Sequence, residues 1–151
     1  MIFSKSFGYA LRGILYVALE DQHAVRIDDM AKALGVPRHF MAKIMKRLVQ
    51  RGILSSAKGR FGGFSLDSDT LQRHLMAVYE VTDNPETLVQ CVLSKGLCSA
   101  EHPCRLHDKI APLRGPLHQI LYKTTIADLL DGDKDDLLRS LTESQRIEVD
   151  S

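Results

Sequence analysis

The sequence predicts a mainly α-helical chain that carries one small β-hairpin. Apolar residues recur at spacings of three and four over several stretches, which is the period of helices with one buried face. A glycine-rich segment near residue 60 lies between two short extended runs and predicts the hairpin. With 151 residues, 44% of them hydrophobic, the chain can form one globular domain with an appended element.

Three helices are expected before the hairpin. The first covers roughly Ser6 to Glu20, with the hydroxyl of Ser6 available as N-cap. The second is short: it begins at the capping residue Asp28 and ends at Gly35, which reaches positive φ without strain. Pro37 then suits the first position of a third helix, because its missing N–H costs nothing there. A tight turn therefore joins the second and third helices.

The third helix is amphipathic, and Gly52 closes it. Its apolar face consists of Met41, Ile44, Met45 and Leu48. Its basic residues lie mostly elsewhere; they are Arg38, His39, Lys43, Lys46, Arg47 and Arg51. Residues 1–66 hold eleven Lys or Arg against four acids, a net charge of +7, so the remainder carries −6 to reach the total of +1. This division indicates that only the first half meets a polyanion.

Two extended runs, Ile53 to Ser56 and Phe64 to Leu66, flank a tip that is rich in glycine and basic residues. The tip comprises Lys58, Gly59, Arg60, Phe61, Gly62 and Gly63. A short helix, a tight turn, a basic helix and a hairpin, in this order, are typical of a winged helix-turn-helix domain. The second helix of that motif enters the major groove of DNA. We therefore predict a DNA-binding domain of this kind over residues 1–82.

Double-stranded DNA is the predicted partner of this domain. Arg38 and His39 stand at the exposed start of the basic helix, where side chains meet base edges, and Lys43 lies one turn further on. Lys46 and Arg47 suit phosphates, which give affinity but little sequence choice. The predicted wing contacts are Lys58, Arg60 and Gly62, with Arg60 as a probe of the minor groove. For any single basic residue, a solvated helix face is the alternative.

The second half is expected to hold a fourth helix, a cysteine loop and a dimerisation helix. The fourth helix ends before Asn84 and is marked by Leu71, Leu75, Val78 and Tyr79. Over 103–130, apolar residues step by four, three, four and three, the seam of a helix that pairs with its own copy in a homodimer. The seam residues are Leu106, Ile110, Leu113, Leu117 and Ile120. Pro112, Gly115 and Pro116 interrupt the seam and predict a kink or a restart.

Seven acids against three bases predict an acidic, flexible tail over 131–151.

Three cysteines and a histidine fall within seventeen residues, and the chain has no other cysteine. They are Cys91, Cys98, Cys104 and His107. Because His107 lies one helical turn beyond Cys104, a loop over 83–107 could bring all four side chains to one metal centre. Soft thiolates suit an iron–sulfur cluster; structural zinc, or three reduced thiols that act as a redox switch, are the alternatives. His102 is an alternative to His107 as ligand.

Other classes of protein are less compatible with the sequence. It has no phosphate-cradling glycine motif, no nucleophile elbow and no acid–base pair, so we do not expect an enzyme. No apolar run is long enough to cross a bilayer and no signal peptide is evident, so a cytoplasmic location is expected. A carrier that delivers iron–sulfur clusters without a DNA function is a further alternative, but it has no use for a basic helix and wing.

Four segments, in this order, resemble the Rrf2-type transcription regulators, the family that contains the IscR, NsrR, RirA and CymR repressors. They are FSKSFGYALRGILYVAL, VPRHFMAKIMKRLVQRGIL, KGRFGGFSL and CVLSKGLCSAEHPCRLH. The resemblance extends from Phe3 to about Leu130. It implies a dimeric DNA-binding repressor or activator that senses iron, redox state or nitric oxide through an iron–sulfur cluster.

By position, the resemblance matches Cys91, Cys98 and Cys104 with the cluster cysteines, and His107 with the histidine of the IscR-type site. Some relatives take the fourth ligand from an acidic residue near the start of the partner's first helix. Here Gly8 occupies that neighbourhood, and the first nineteen residues contain no Asp or Glu. The resemblance therefore favours His107 as the fourth ligand and leaves a two-iron and a four-iron cluster both open.

Overall fold

The computed structural model describes residues 3–20 and 23–143. It contains seven α-helices, one antiparallel hairpin and two short 3₁₀ turns in these residues, which confirms the predicted mainly α class with a wing. The helices are α1 (Lys5–Leu19), α2 (Ile27–Leu34), α3 (Arg38–Gln50), α4 (Leu75–Thr82), α5 (His107–Lys123), α6 (Ile126–Leu129) and α7 (Lys134–Thr142). The strands are β1 (Leu54–Ala57) and β2 (Gly63–Leu66), and the 3₁₀ turns are Thr70–Gln72 and Pro85–Leu88.

Two predicted helix starts are wrong. Helix α1 is capped by Ser4, whose hydroxyl accepts a hydrogen bond from the N–H of Phe7 at 3.1 Å, and not by Ser6, which lies inside the first turn. Helix α2 begins one residue earlier than expected, so Asp28 belongs to its first turn and caps nothing. The predicted end of α2 is confirmed, because Gly35 adopts the left-handed conformation with φ of 63°.

The core lies where α1 packs against α3 and α4. Helix α1 approaches α3 closely at Gly13, where an added Cβ would lie 2.5 Å from the methyl group of Met41. On the other side, the ring of Tyr79 in α4 meets the ring of Phe7 edge to face, with centroids 5.4 Å apart. Helix α1 is therefore the central element of the core, and the basic helix α3 packs against it.

The hairpin is tied to the segment that precedes α2. Its strands pair in the register Leu54 with Leu66 and Ala57 with Gly63. In addition, Val25 and Phe64 exchange two backbone hydrogen bonds of 2.8 Å, which add one bridge to the outer side of β2. At Gly63 a Cβ would lie 2.5 Å from the carbonyl oxygen of Val25, so only glycine allows this approach. The wing therefore has a fixed position beside α2 and α3.

Helix α5 runs without interruption and includes both Pro112 and Pro116, so the predicted restart is wrong. Its C-terminal part is anchored to α4, where the N–H of Leu75 donates to the carbonyl of Thr124 at 2.9 Å. Leu121 is fully buried at this contact, whereas Leu113 and Ile120 are about half exposed. No helix among residues 3–20 and 23–143 has the length and apolar character needed to cross a membrane.

The predicted flexible tail is wrong over 134–142, which form α7. Asp133 caps this helix by accepting from the N–H of Asp136 at 2.9 Å, and Leu137 and Leu141 pack against the core beside α1. The count of acidic residues hid these leucines, whose spacing of four places them on one helix face. Residues 144–151 of the predicted tail lie outside the described residues.

Thr70 should be essential for the stability of the wing. Its buried hydroxyl donates to the carbonyl of Ile53 and accepts from the N–H of Asp67, both at 2.7 Å, and so joins the two ends of the hairpin. We expect Thr70→Val to lower the free energy of unfolding by about 1–3 kcal/mol, because both partners lose their hydrogen bond. Thr70→Ser keeps the hydroxyl and serves as control in urea unfolding. Equal stability of the valine variant and the wild type would contradict this role.

Candidate DNA interface and cysteine site

Helix α3 presents its basic residues to solvent in two rows. Arg38 and Lys46 line a groove of about 510 Å³ between α3, the start of α2 and the hairpin. Lys43 and Arg47 line a second groove between α3 and α1. His39 lies between these rows at the exposed start of the helix. The structure therefore places the predicted contacts of α3 on one cationic surface with a groove on either side.

The wing tip is exposed and basic, as predicted. Lys58 and Arg60 are exposed, whereas Gly62 is buried. A Cβ on Gly62 would lie 2.3 Å from the carbonyl oxygen of Ala57, so this glycine shapes the tip. Phe61, which sequence reasoning did not select, is 88% exposed, and the guanidinium of Arg60 lies 5.6 Å from the centre of its ring.

Two residues at the start of α2 were also missed by sequence reasoning. Arg26 lines the groove between α3 and the hairpin and donates to the carbonyl of Arg60 at 3.3 Å. Asp28 lines the same groove and forms an ion pair with Arg38. Only the three-dimensional arrangement identifies them, because their partners lie 34 and 10 residues away in the chain.

The cysteine loop begins with a narrow reversal of the chain. The N–H of Cys98 donates to the carbonyl of Val89 at 2.7 Å, and the N–H of Cys91 donates to the carbonyl of Gly96 at 2.9 Å. These two bonds, with a bridge between Gln90 and Leu97, bring Cys91 and Cys98 to the stem of the loop. The return of the chain through Pro103 then leads to the first turn of α5.

The four candidate ligands are half-buried and lie in two neighbouring pairs. The sulfur of Cys98 lies 3.1 Å from Nδ1 of His107, the first residue of α5. Cys104 lies near enough to Cys91 to contribute to the lowering of its pKa. In the described part of the chain, no three His, Cys, Asp or Glu side chains converge on one point as a single metal ion requires. His102, the alternative ligand, is exposed.

Hydrogen bonding prepares Cys91 to act as a thiolate. Bonds from the side chain and then the backbone N–H of Ser94, with smaller contributions from Leu93 and Cys104, lower the pKa of Cys91 to about 6. The N–H of Ser94 lies 3.3 Å from the sulfur. Above that pH the thiol is mostly ionised, and the thiolate is the form that binds iron or zinc and that reacts with oxidants.

The donor set is compatible with an iron–sulfur cluster. Thiolate and imidazole are soft or borderline donors, and the loop supplies four of them in two pairs. In a two-iron cluster each iron takes two protein ligands, whereas zinc needs all four donors around one tetrahedral centre. In the described residues the four donors do not surround one centre as zinc needs, and a two-iron and a four-iron cluster are both compatible with the donor set.

Arg114 connects the stem of the cysteine loop to α5. Its guanidinium donates through Nη1 to the carbonyl of Leu88 and through Nη2 to the carbonyl of Gln90, the latter at 2.7 Å. Its Nε is buried and has no hydrogen-bond partner among the described residues. The side chain thus fixes the loop to the helix one residue before Cys91. Sequence reasoning missed it, because an arginine within an exposed helix carries no distinct signal.

Two regulators of known sequence are similar to this chain along most of its length. A regulator of the helix-turn-helix type from Aquifex aeolicus is 35% identical over 133 residues, 87% of this chain and 92% of that protein. The regulator NsrR of Geobacillus kaustophilus is 31% identical, over 91% of this chain and 94% of its own.

Solved structures have the same architecture. CymR, the global cysteine regulator of B. subtilis, superposes with a TM-score of 0.68 at 20% identity, over 84% of this chain and 94% of CymR. IscR of T. potens superposes with a TM-score of 0.65 at 16% identity, over 95% of this chain and 93% of IscR. At these identities the likeness concerns the fold. The family described as Rrf2, iron-dependent transcriptional regulator, matches residues 3–132, so the chain belongs to the Rrf2 family of transcriptional regulators.

Proposed function

We propose that this Rrf2 regulator binds DNA as a homodimer and that an iron–sulfur cluster, held by Cys91, Cys98, Cys104 and His107, controls its affinity for DNA. One observation carries the proposal. Cys98 lies against His107 at the first turn of α5 and Cys104 lies near Cys91, in a chain whose α3 and wing present a cationic surface.

The DNA-reading part of the proposal rests on the two rows of basic residues. Arg38 stands at the N-terminal end of α3, where its fork can reach guanine in the major groove. Lys46, two turns further on and beside the wing, is placed for a phosphate. Arg26 and Arg60 continue the cationic surface to the wing tip, which suits the minor groove.

The dimer part of the proposal rests on α5. Leu113, Ile120 and Tyr122 are about half exposed, although large apolar side chains are usually buried. Ile110 and Leu117 line a groove between α5 and the stem of the cysteine loop. A second copy that packs along α5 would cover these residues and give the dimer two α3 helices, one for each half of a two-fold DNA site. The exposed side chains support the predicted seam.

The regulatory part rests on the covalent and hydrogen-bonded links between the loop and α5. His107 would be both a ligand and the first residue of the helix, and Arg114 ties the loop stem to the same helix about two turns later. A bound cluster would supply a redox-active centre that binds the two ligand pairs together. Without a cluster, the bonds of Arg114 and of the stem still tie the loop to α5, and we expect the end of the helix at His107 to move more freely than the end anchored on α4.

The first test of the proposed function distinguishes a residue that reads bases from one that contacts phosphates. We select a duplex from a randomised library with the wild-type chain and compare it with a shuffled duplex of equal composition. Arg38→Ala should weaken binding of the selected duplex by about 1–3 kcal/mol and leave the shuffled one nearly unchanged. Lys46→Ala should weaken both alike and reduce the slope of affinity against salt by about 1. Equal losses on both duplexes for Arg38→Ala would exclude it as a reader.

The second prediction concerns the cluster. Protein reconstituted without oxygen, with iron and sulfide, should hold iron and sulfide in about equal amounts, develop visible absorption, and differ from the metal-free protein in affinity for the selected duplex. His107→Ala should lose this cluster or its stability to air, whereas His102→Ala should behave as the wild type, because His102 is exposed. Iron-free protein after reconstitution, or equal affinities of both forms, would contradict the proposal.

A thiol switch without metal is the second candidate. It is favoured by the neighbouring Cys91 and Cys104, which can form a disulfide if the chain lacks metal. A peroxide would accept two electrons and the two thiol protons, the two sulfurs would bond, and the peroxide would be reduced to two waters, or to one water and one alcohol if it is an alkyl peroxide. Such a bond would close the loop without iron.

The third prediction tests this candidate on metal-free protein. Hydrogen peroxide should join Cys91 and Cys104, as mass spectrometry of the digested chain would show, with Cys98→Ser unaffected and Cys104→Ser unable to form the bond. The reaction should slow as the pH falls through about 6, because protonation removes the thiolate of Cys91. A bond between Cys98 and another cysteine, or unchanged affinity for DNA after oxidation, would contradict a switch made of Cys91 and Cys104.

A further inference from the structure

An ion pair joins the two helices of the DNA-binding motif at the surface expected to face DNA. The carboxylate of Asp28, in the first turn of α2, accepts a hydrogen bond from Nε of Arg38, the first residue of α3. Both side chains are largely exposed, 64% for Asp28 and 61% for Arg38. They also line the same groove between α3 and the hairpin.

Stability does not explain the position of Asp28. An exposed ion pair of this kind adds little to the free energy of unfolding, since water screens the charges. The favourable effect of an acid at a helix N-terminus is available from Asp29, the next residue in the same turn. Meanwhile a carboxylate on a DNA-binding surface repels phosphates and lowers affinity. Asp28 therefore carries an electrostatic cost that folding does not require.

The geometry of the pair indicates what offsets that cost. Asp28 engages only Nε of Arg38, so both terminal Nη groups are left to form the two parallel bonds with which arginine recognises O6 and N7 of guanine. A free arginine loses rotamer entropy when it binds a base, and a side chain that is already held loses less. This inference rests on the proposed DNA function: we propose that Asp28 is a positioning residue that holds Arg38 for base recognition and thereby determines sequence specificity.

The backbone around Asp28 is rigid enough for this role. Val25, three residues earlier, is hydrogen-bonded to Phe64 in β2, and Arg26 donates to the carbonyl of Arg60 at the wing tip. The segment 25–28 thus contacts both DNA-reading elements, the wing through Val25 and Arg26 and α3 through Asp28. Its fixed path gives Asp28 a defined position from which to hold the guanidinium.

The experiment compares Asp28→Asn with Asp29→Asn on the full-length chain. The probes are the duplex selected by the wild type and the shuffled duplex of equal composition. We expect Asp28→Asn to raise Kd for the selected duplex about tenfold, and to leave Kd for the shuffled duplex unchanged or slightly lower, since one repulsive charge is gone. Asp29→Asn removes the same charge from the same helix turn and should affect both duplexes alike.

Two further variants test whether the effect acts through Arg38. In an Arg38→Ala background, Asp28→Asn should cause no further loss on the selected duplex, because there is no guanidinium left to hold. Asp28→Glu keeps the carboxylate and should recover part of the specificity. Circular dichroism and urea unfolding of each variant check that the fold is intact, and Asp28→Ser, which is also favourable at a helix start, replaces the asparagine variant if that one is unstable.

The outcomes separate this inference from the proposed function. If Asp28→Asn tightens binding to both duplexes equally, Asp28 acts only as a repulsive charge and the positioning role is overturned. An additive loss in the Arg38→Ala background would also overturn it. A wild-type chain that does not distinguish the two duplexes at all would instead refute the DNA-reading function itself.

Discussion

The two backbone hydrogen bonds between Val25 and Phe64 are the constraint on which the cationic surface of α3 and the wing depends. They attach the hairpin to the segment before α2, so that α2, α3 and the wing have fixed relative positions. A glycine at 63 is the condition for this contact, because any side chain there would collide with the carbonyl of Val25. The cationic groove between α3 and the wing exists because these few backbone atoms meet.

The cysteine site follows a different principle, since little apolar packing holds it. Val92, Leu93 and Leu97 of the loop are about 60% exposed, and order in the loop comes from backbone bonds of its stem and from Arg114. Four soft donors on a weakly held loop are suited to a regulatory centre, because ligand binding can then supply a large part of the local stability. A rigid loop would show little difference between its loaded and empty forms.

Much of the fold could be predicted from periodicity and from glycine, while the details that depend on distant partners could not. Gly35 ended α2 as expected because local backbone geometry alone requires it. Ser4 and Ser6 are equally good caps in the sequence, but in the fold the hydroxyl of Ser4 also donates to the carboxylate of Asp83, 79 residues away. Helix α7 was obscured because the acidic residues of 131–151 dominate the composition of that segment and hide the two leucines, Leu137 and Leu141, that pack on the core.

The candidate site was predictable to a similar degree. The cysteines and His107 stood out by composition and spacing, but their arrangement in two pairs depends on the reversal at residues 89–98. Asp28 and Arg114 could not be identified as functional residues beforehand. Asp28 contacts the guanidinium of Arg38 and Arg114 contacts the carbonyl of Leu88, and the chain brings these partners near only when it folds.

The prolines inside α5 have a mechanical consequence. Each lacks an N–H, so the carbonyls of Asp108 and Pro112 receive no bond from the residue four positions later, and both defects fall on one side of the helix. The helix is therefore softest between its first turn, which carries His107, and the half that is anchored on α4. Bending at this hinge would let the N-terminal turn tilt with the loop while the anchored half stays in place.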